Sequence, residues 1–178
     1  MNNTLSLTLA AIVAMAAPMS ALANDAVECN VRNTQTVATT PATDFEFHDD
    51  GTITHLRTGL MWTQCLVGET YSNGACFGSP QGSSFETALN YAQESDYAGY
   101  TDWRLPNIKE AMSLIERQCA MPAMNLAVFP SMASLDRLIT STTSHGNSRT
   151  VRLHTEAGAV LTLTSGTTTN FLMVREPE

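Results

Sequence analysis

Four cysteines that follow a secretory leader constrain the fold of this chain more than any other feature. They are Cys29, Cys65, Cys76 and Cys119. An even number of cysteines in an oxidising compartment favours disulfides over free thiols. Two cross-links are therefore expected in the secreted protein, and they limit how its loops and its N-terminal segment can be arranged.

The leader is predicted from residues 1–23. An apolar run from Leu5 to Ala17 is followed by Pro18 and by the small-residue box Ala21-Leu22-Ala23, which is the pattern of a signal peptide cleaved after Ala23. The apolar run, about 13 residues long, is shorter than the ~20 residues that a membrane span requires. A secreted or periplasmic protein is predicted, with no membrane span after cleavage.

Sequence alone allows three ways to pair the four cysteines. We favour Cys65 with Cys76, which closes a short and turn-rich loop, and Cys29 with Cys119, which ties the N-terminal arm to the end of a helix. A zinc site is disfavoured because the chain has no C-x-x-C motif and no histidines at zinc-finger spacing.

The first half of the secreted chain predicts an extended arm at 24–44 and a hairpin within one domain that spans 45–178. Phe45, Phe47 and Ile53 alternate around the Asp50-Gly51 step, and a strand follows through 60–62. This alternation and the Asp-Gly turn are typical of a β-hairpin. The stretch 68–84 is rich in Gly, Ser and Pro and is expected to be a loop pinned by a disulfide.

Two helices are predicted in the middle of the domain. The first has a capping box at Ser83 and Glu86, and the second has one at Asn107 and Glu110. Helical spacing then places one apolar face on each helix, made by Phe85, Ala88, Leu89 and Ala92 in the first and by Ile108, Met112, Ile115 and Cys119 in the second.

After Arg149 the hydrophobic period changes from helical to alternating. The apolar pairs are Val151 with Leu153, Leu161 with Leu163, and Phe171 with Met173, which predicts three antiparallel closing strands. The expected fold class is therefore α+β: two central helices, antiparallel strands and long loops pinned by disulfides.

The formal net charge of −8 belongs entirely to the secreted part, since the leader carries no charged side chain. Such acidity argues against nucleic acid as a partner and against attraction of the whole surface to polyanions. A local basic patch is compatible with it, because Arg137, Arg149, Arg152 and Arg175 all lie in the last third.

Four segments carry a resemblance to a known family. The segments DDGTITHLRTGLMWTQC and GYTDWRLPNIKE, together with Glu116-Arg117-Gln118-Cys119 and Phe129-Pro130, resemble the bacterial family of the C-terminal domain of the Legionella collagen-like adhesin. The resemblance runs from about Phe45 to Arg175. It implies a C-type-lectin-like fold and a role in adhesion, which in the best-known member of the family is directed at glycosaminoglycans.

Within these motifs, Trp62 and Trp103 are interpreted as core residues because both lie among apolar neighbours. Asp102 and Arg104 are expected to pair with each other or with the backbone at the start of the second helix. Their predicted role is structural.

No catalytic site is predicted. The four histidines are scattered, Ser144-His145 lacks a nucleophile elbow, and Asp49-Asp50-Gly51 lacks the spacing of a calcium loop. No metal or cofactor is assigned, although calcium held by carboxylates from several loops is left open.

The leading functional hypothesis is a secreted adhesion module without catalysis. Its partner is an extracellular polysaccharide or a surface protein, and the expected ligand-binding residues are Arg137, His145, Asn147, Arg149 and Arg152. The first alternative is a structural subunit of a cell-surface assembly, a homo-oligomer in which the arm adds to a neighbour's sheet. The second is an enzyme related to the formylglycine-generating group, which needs a later pair of reactive cysteines.

Overall fold

The computed structural model describes residues 27–145 and 149–177, so the predicted leader lies outside the described residues. The chain is mixed α/β and mostly strands. The strands are β1 Val31–Arg32, β2 Phe45–Phe47, β3 Thr52–His55, β4 Leu60–Thr63, β5 Glu69–Ser72, β6 Ala75–Gly78, β7 Cys119–Ala120, β8 Arg137–Thr143, β9 Arg149–His154, β10 Ala159–Thr164 and β11 Val174–Arg175. The α-helices are α1 Phe85–Glu94 and α2 Ile108–Met112.

The predicted hairpin forms the first half of a four-stranded antiparallel sheet in the order β11-β4-β3-β2. Its turn uses Gly51 at φ 85°, a conformation that glycine adopts without steric cost. Asp50 Oδ1 accepts hydrogen bonds from the backbone N–H and the hydroxyl of Thr52, at 2.9 and 2.7 Å. Phe45 and Ile53 turn inward into the core, where each is at most 5% exposed.

A second antiparallel sheet has the order β10-β9-β8. Two of the three predicted closing strands are its β9 and β10. Its third strand, β8, was not predicted. Phe171 and Met173 instead belong to a segment, 171–174, in which every residue is at most 1% exposed. This segment is buried on both sides and ends in β11 on the first sheet. Its apolar residues therefore do not indicate a strand with one face in solvent, as the alternation had predicted.

Both predicted helices are present, with corrections at their ends. Helix α1 is capped by Ser84, whose side chain accepts from the Thr87 N–H at 3.2 Å, so the predicted cap at Ser83 is one residue early. Its buried face consists of Ala88 and Ala92, while Leu89 is 37% exposed.

The capping box of α2 is confirmed at Asn107 and Glu110, but the helix ends at Met112 and does not reach Cys119. After α2 the chain turns back on itself. Ile115 bridges to Met124, and the Glu116 N–H donates to the Ala123 carbonyl at 3.1 Å. Tertiary pairing therefore overrides the helical spacing of the apolar side chains beyond α2.

The N-terminal arm is packed onto the domain. Strand β1 pairs with β7, and a disulfide joins Cys29 to Cys119. The other disulfide joins Cys65, which precedes β5, to Cys76 in β6, so the pairing is the one that the sequence favoured. The stretch 68–84, expected to be a loop, contains the antiparallel hairpin of β5 and β6, which corrects that expectation. Over residues 27–44 the arm packs against its own domain.

The core consists of two hydrophobic clusters. Trp62 lies in the cluster beside α2, and Trp103 lies in the cluster beside α1. The two tryptophans are 0% and 3% exposed, which confirms that both are core residues. No helix in the described ranges is long and apolar enough to cross a membrane.

Candidate functional site

The residues expected to bind a ligand, where the structure describes them, are spread along the second antiparallel sheet. Arg137 begins β8 and lies opposite His154, the last residue of β9, whereas Arg149 is the first residue of β9. At about 3.4 Å per residue, the two arginines are about 17 Å apart along the sheet. His145 is exposed near the Arg149 end, and Asn147 lies outside the described residues. A ligand that contacts the positions of both Arg137 and Arg149 would have to span the length of β9.

Two of these arginines are also less available than expected. Arg137 Nη2 lies 3.0 Å from Asp136 Oδ2, so a neighbouring carboxylate already matches its charge. Arg152 is 0% exposed in β9 and donates from Nη2 to the Thr167 carbonyl at 3.0 Å. Burial lowers the pKa of this guanidinium. The expectation that Arg152 faces a partner is corrected, because a central strand points alternate side chains into the protein.

A different surface offers a preformed site. An open cleft of about 480 Å³ is lined by Met61, Gly99, Tyr100, Thr101, Asp102, Arg175 and Pro177. This volume lies within the range of small-molecule sites, roughly 300–1,000 Å³. We refer to it as the Asp102–Arg175 cleft.

The centre of the cleft is an ion pair stacked on an aromatic ring. Arg175 Nε donates to Asp102 Oδ1 at 2.6 Å, and the guanidinium carbon lies 4.1 Å from the centre of the Tyr100 ring. The hydrogen bond from Arg175 lowers the pKa of Asp102, so this carboxylate is ionised at neutral pH. The Arg175 side chain is 8% exposed and that of Asp102 is 52% exposed.

Local structure fixes both partners of this pair. The backbones of Arg104 and Val174 exchange two hydrogen bonds, at 3.0 and 2.9 Å. This pairing places Arg175 beside the segment that contains Asp102. Trp103 anchors that segment in the core, and its indole N–H donates to the Tyr97 carbonyl at 2.9 Å. The ring of Tyr100 meets Trp103 edge to face, with centroids 6.3 Å apart. The geometry of the cleft is therefore held by packing and by backbone pairing.

The chain at the rim of the cleft adopts an uncommon conformation. Ala98 has φ 55° and Gly99 has φ 80°. A left-handed alanine costs free energy and persists where its surroundings impose it, which is frequent at functional sites. Next to it, a Cβ on Gly99 would meet no atom within 4 Å. Gly99 is thus required for its backbone angle, and the space beside it is open.

Asp102 and Arg104 do not pair with each other, which corrects the sequence prediction. Arg104 forms a bidentate pair with Glu110 at 2.8 and 2.9 Å. It also reaches Glu176 at 3.2 Å. Glu110 closes the cap of α2 by accepting from the Asn107 N–H at 2.8 Å. The predicted structural role beside the helix start is correct for Arg104, whereas Asp102 lines the cleft.

Other polar groups in the described ranges make disulfide, hydrogen-bond or packing contacts. Cys65, Glu69 and Cys76 are close enough to share a metal ion, but the two sulfurs are bonded to each other. His48 bonds the Thr54 hydroxyl at 2.9 Å. His55 is buried against the Phe45 ring, and desolvation lowers its pKa.

Sequence reasoning missed the cleft although part of its signal was present. Tyr100, Thr101 and Asp102 lie inside GYTDWRLP, the motif that carried the resemblance. Arg175 stands 73 positions after Asp102. No local pattern in the sequence connects the two.

Comparison with protein families gives one match over most of the chain. The family model of the Lcl C-terminal domain matches residues 51–175, a range that includes both Asp102 and Arg175. No curated protein and no solved structure matches the chain significantly.

Proposed function

Because the chain belongs to the Lcl C-terminal domain family, an adhesin-related family, we propose that it is a secreted binding module without catalytic activity. Its partner is an extracellular polysaccharide or a surface protein. The ligand occupies the Asp102–Arg175 cleft. This placement replaces the surface predicted from the sequence around β8 and β9.

One observation carries this placement: the ion pair of the cleft is preassembled, and two polar atoms beside it keep hydrogen-bonding capacity. Nη2 of Arg175 and Oη of Tyr100 make no hydrogen bond to the residues that the structure describes, and neither atom is fully buried. The stacked arrangement of ion pair and ring exists before any ligand arrives. A preorganised site loses little side-chain entropy on binding, which favours recognition.

The covalent structure supports the proposed compartment. All four cysteines form disulfides, and no cysteine is free. Such cross-links persist outside the reducing cytosol, in agreement with a secreted or periplasmic location. The mixture of short helices, antiparallel strands and pinned loops also supports the C-type-lectin-like architecture that the resemblance implied.

The same observations favour binding over chemistry. An enzyme of the formylglycine-generating type needs reactive thiols, and here both pairs of cysteines are cross-linked. His48 bonds the Thr54 hydroxyl, and His55 stacks on the Phe45 ring. His154 lies 3.5 Å from Glu156, and His145 is exposed. Nucleophilic catalysis needs more than a base near a hydroxyl: a third group must orient the base, and a site must stabilise the charge that develops.

The proposal is tested by comparing the two candidate surfaces. The oxidised protein is applied to immobilised extracellular polysaccharides and to surface proteins in parallel with two variants. One carries Asp102→Asn in the cleft, and the other carries alanine at Arg137, His145, Asn147 and Arg149. We expect the first variant to lose binding and the second to retain it. The opposite result places the site on the sheet, and an absence of binding to every surface overturns the proposed function.

A further inference from the structure

We propose that the Asp102–Arg175 cleft takes a neutral, polyhydroxylated sugar and not a sulfated or uronic acid ligand. This inference rests on the proposed function and names the ligand class of the same site. It follows from the charges around the cleft, from the hydrogen-bonding groups that remain open, and from the apolar surface beside them.

Every positive charge at the cleft is already matched. Arg175 is paired with Asp102, and Arg104 is paired with both Glu110 and Glu176. This group of five residues therefore carries two positive and three negative charges. An anionic ligand would have to compete with carboxylates at 2.6 to 3.2 Å from the guanidiniums. Like-charge contact and the loss of these ion pairs both oppose its binding.

A neutral sugar meets no such penalty. Each sugar hydroxyl both donates and accepts a hydrogen bond, so neighbouring hydroxyls can accept from Arg175 Nη2 and donate to the half-exposed carboxylate of Asp102. Bonds to ionised groups are stronger than bonds between neutral groups. The Arg175 side chain is already only 8% exposed, so much of the cost of removing it from water is met in the free protein.

The apolar part of the lining matches the other property of a sugar. Pyranose rings present C–H surfaces between their hydroxyls, and such surfaces pack against aromatic and aliphatic side chains. Tyr100 and Pro177 supply such surface beside the ion pair, whereas Met61 is only 6% exposed and adds little. The cleft therefore combines a charged donor–acceptor pair with a smaller apolar area, a composition that suits an uncharged, hydroxyl-rich ligand.

The test is a binding experiment with three sets of oligosaccharides: neutral hexose and N-acetylhexosamine chains, uronic acid chains, and sulfated chains. Binding to the oxidised protein is measured at 50 and 500 mM NaCl. We expect hits among the neutral chains, with an affinity that changes by less than about twofold between the two salt concentrations, since no counterions are released. Asp102→Asn should reduce this affinity at least about tenfold.

Asp49→Asn is the matched control, because it makes the same chemical change at an exposed position outside the cleft. It should leave the affinity unchanged, and thermal unfolding of both variants verifies that they fold. Binding of sulfated or uronic chains alone, lost with Asp102→Asn, overturns the ligand class but leaves the proposed function standing. The ligand class is also overturned, and the proposed function also stands, if no oligosaccharide binds but a surface protein does and Asp102→Asn abolishes that binding. Binding that survives Asp102→Asn overturns the cleft itself.

Discussion

Glu116→Gln is expected to destabilise the protein strongly by releasing the N-terminal arm. Glu116 is 0% exposed and faces backbone donors without a cationic partner. Its Oε2 accepts from the N–H groups of Thr39 and Thr40 at 3.0 and 2.7 Å, and its Oε1 accepts from the Gln118 N–H at 2.8 Å. The carboxylate thus holds the arm against the turn before β7.

The magnitude follows from what an amide can replace. The amide oxygen of a glutamine can still accept from the N–H groups of Thr39 and Thr40. Its NH₂ group then faces the N–H of Gln118, and two donors cannot form a hydrogen bond with each other. One buried donor left unpaired costs about 1–3 kcal/mol, and the two retained bonds lose roughly 1 kcal/mol each with the charge. The lower desolvation cost of a neutral amide offsets part of this loss. A net destabilisation of about 2–4 kcal/mol corresponds to a fall in Tm of roughly 5–15 °C.

The assay is urea and thermal unfolding of the oxidised protein, combined with hydrogen exchange at the amide of Thr40. Glu86→Gln is the matched control, because Glu86 is exposed on α1 and its replacement should change stability by less than about 0.5 kcal/mol. The reasoning is refuted if Glu116→Gln unfolds within about 0.5 kcal/mol of the parent and its Thr40 amide exchanges at the parent rate.

Three further perturbations test the packing of the fold. Burial lowers the pKa of His55, so stability should fall as the pH drops below the ordinary histidine value of about 6.5 and level off below the folded pKa; His55→Phe should reduce this slope in unfolding experiments. Replacing both cysteines of the Cys29 disulfide by serine opens a loop of 90 residues and should lower the free energy of unfolding by about 4–5 kcal/mol. The same replacement at the Cys65 disulfide opens a loop of 11 residues and should lower it by about 3 kcal/mol. An equal loss in urea unfolding would contradict this order. Arg152→Met should leave the midpoint of urea unfolding equal or higher, because it removes a buried charge with two unpartnered donors; a large loss would show that this guanidinium stabilises the sheet.

The elements that the sequence predicted well are those whose cause is local. The hairpin at Gly51 depends on an Asp-Gly turn and on alternating apolar residues, and both signals lie within a few positions of each other. The start of α2 depends on Asn107 and Glu110, three residues apart. These features persist in the structure because tertiary contacts reinforce the local preference.

The elements that were misjudged are those where distant residues decide. The helical spacing continues to Cys119, but the chain after Met112 pairs with residues 123–124 and with the arm, and this pairing ends the helix. From the sequence, Arg152 was expected to be a surface arginine, because it alternates with the apolar Val151 and Leu153. It is buried because β9 is the central strand of its sheet, covered by the loop whose Thr167 carbonyl it bonds.

The sequence by itself determined the family, the α+β class, the two tryptophans of the core and the start of α2, because each follows from short-range patterns or from a motif. The tertiary structure decided among the three possible cysteine pairings, and it decided which side chains meet in the Asp102–Arg175 cleft. Asp102 and Arg175 are 73 positions apart and become partners only because the backbones of Arg104 and Val174 pair across the fold. Hydrophobic periodicity specifies which face of an element is buried, but it carries no information about which element will lie beside it.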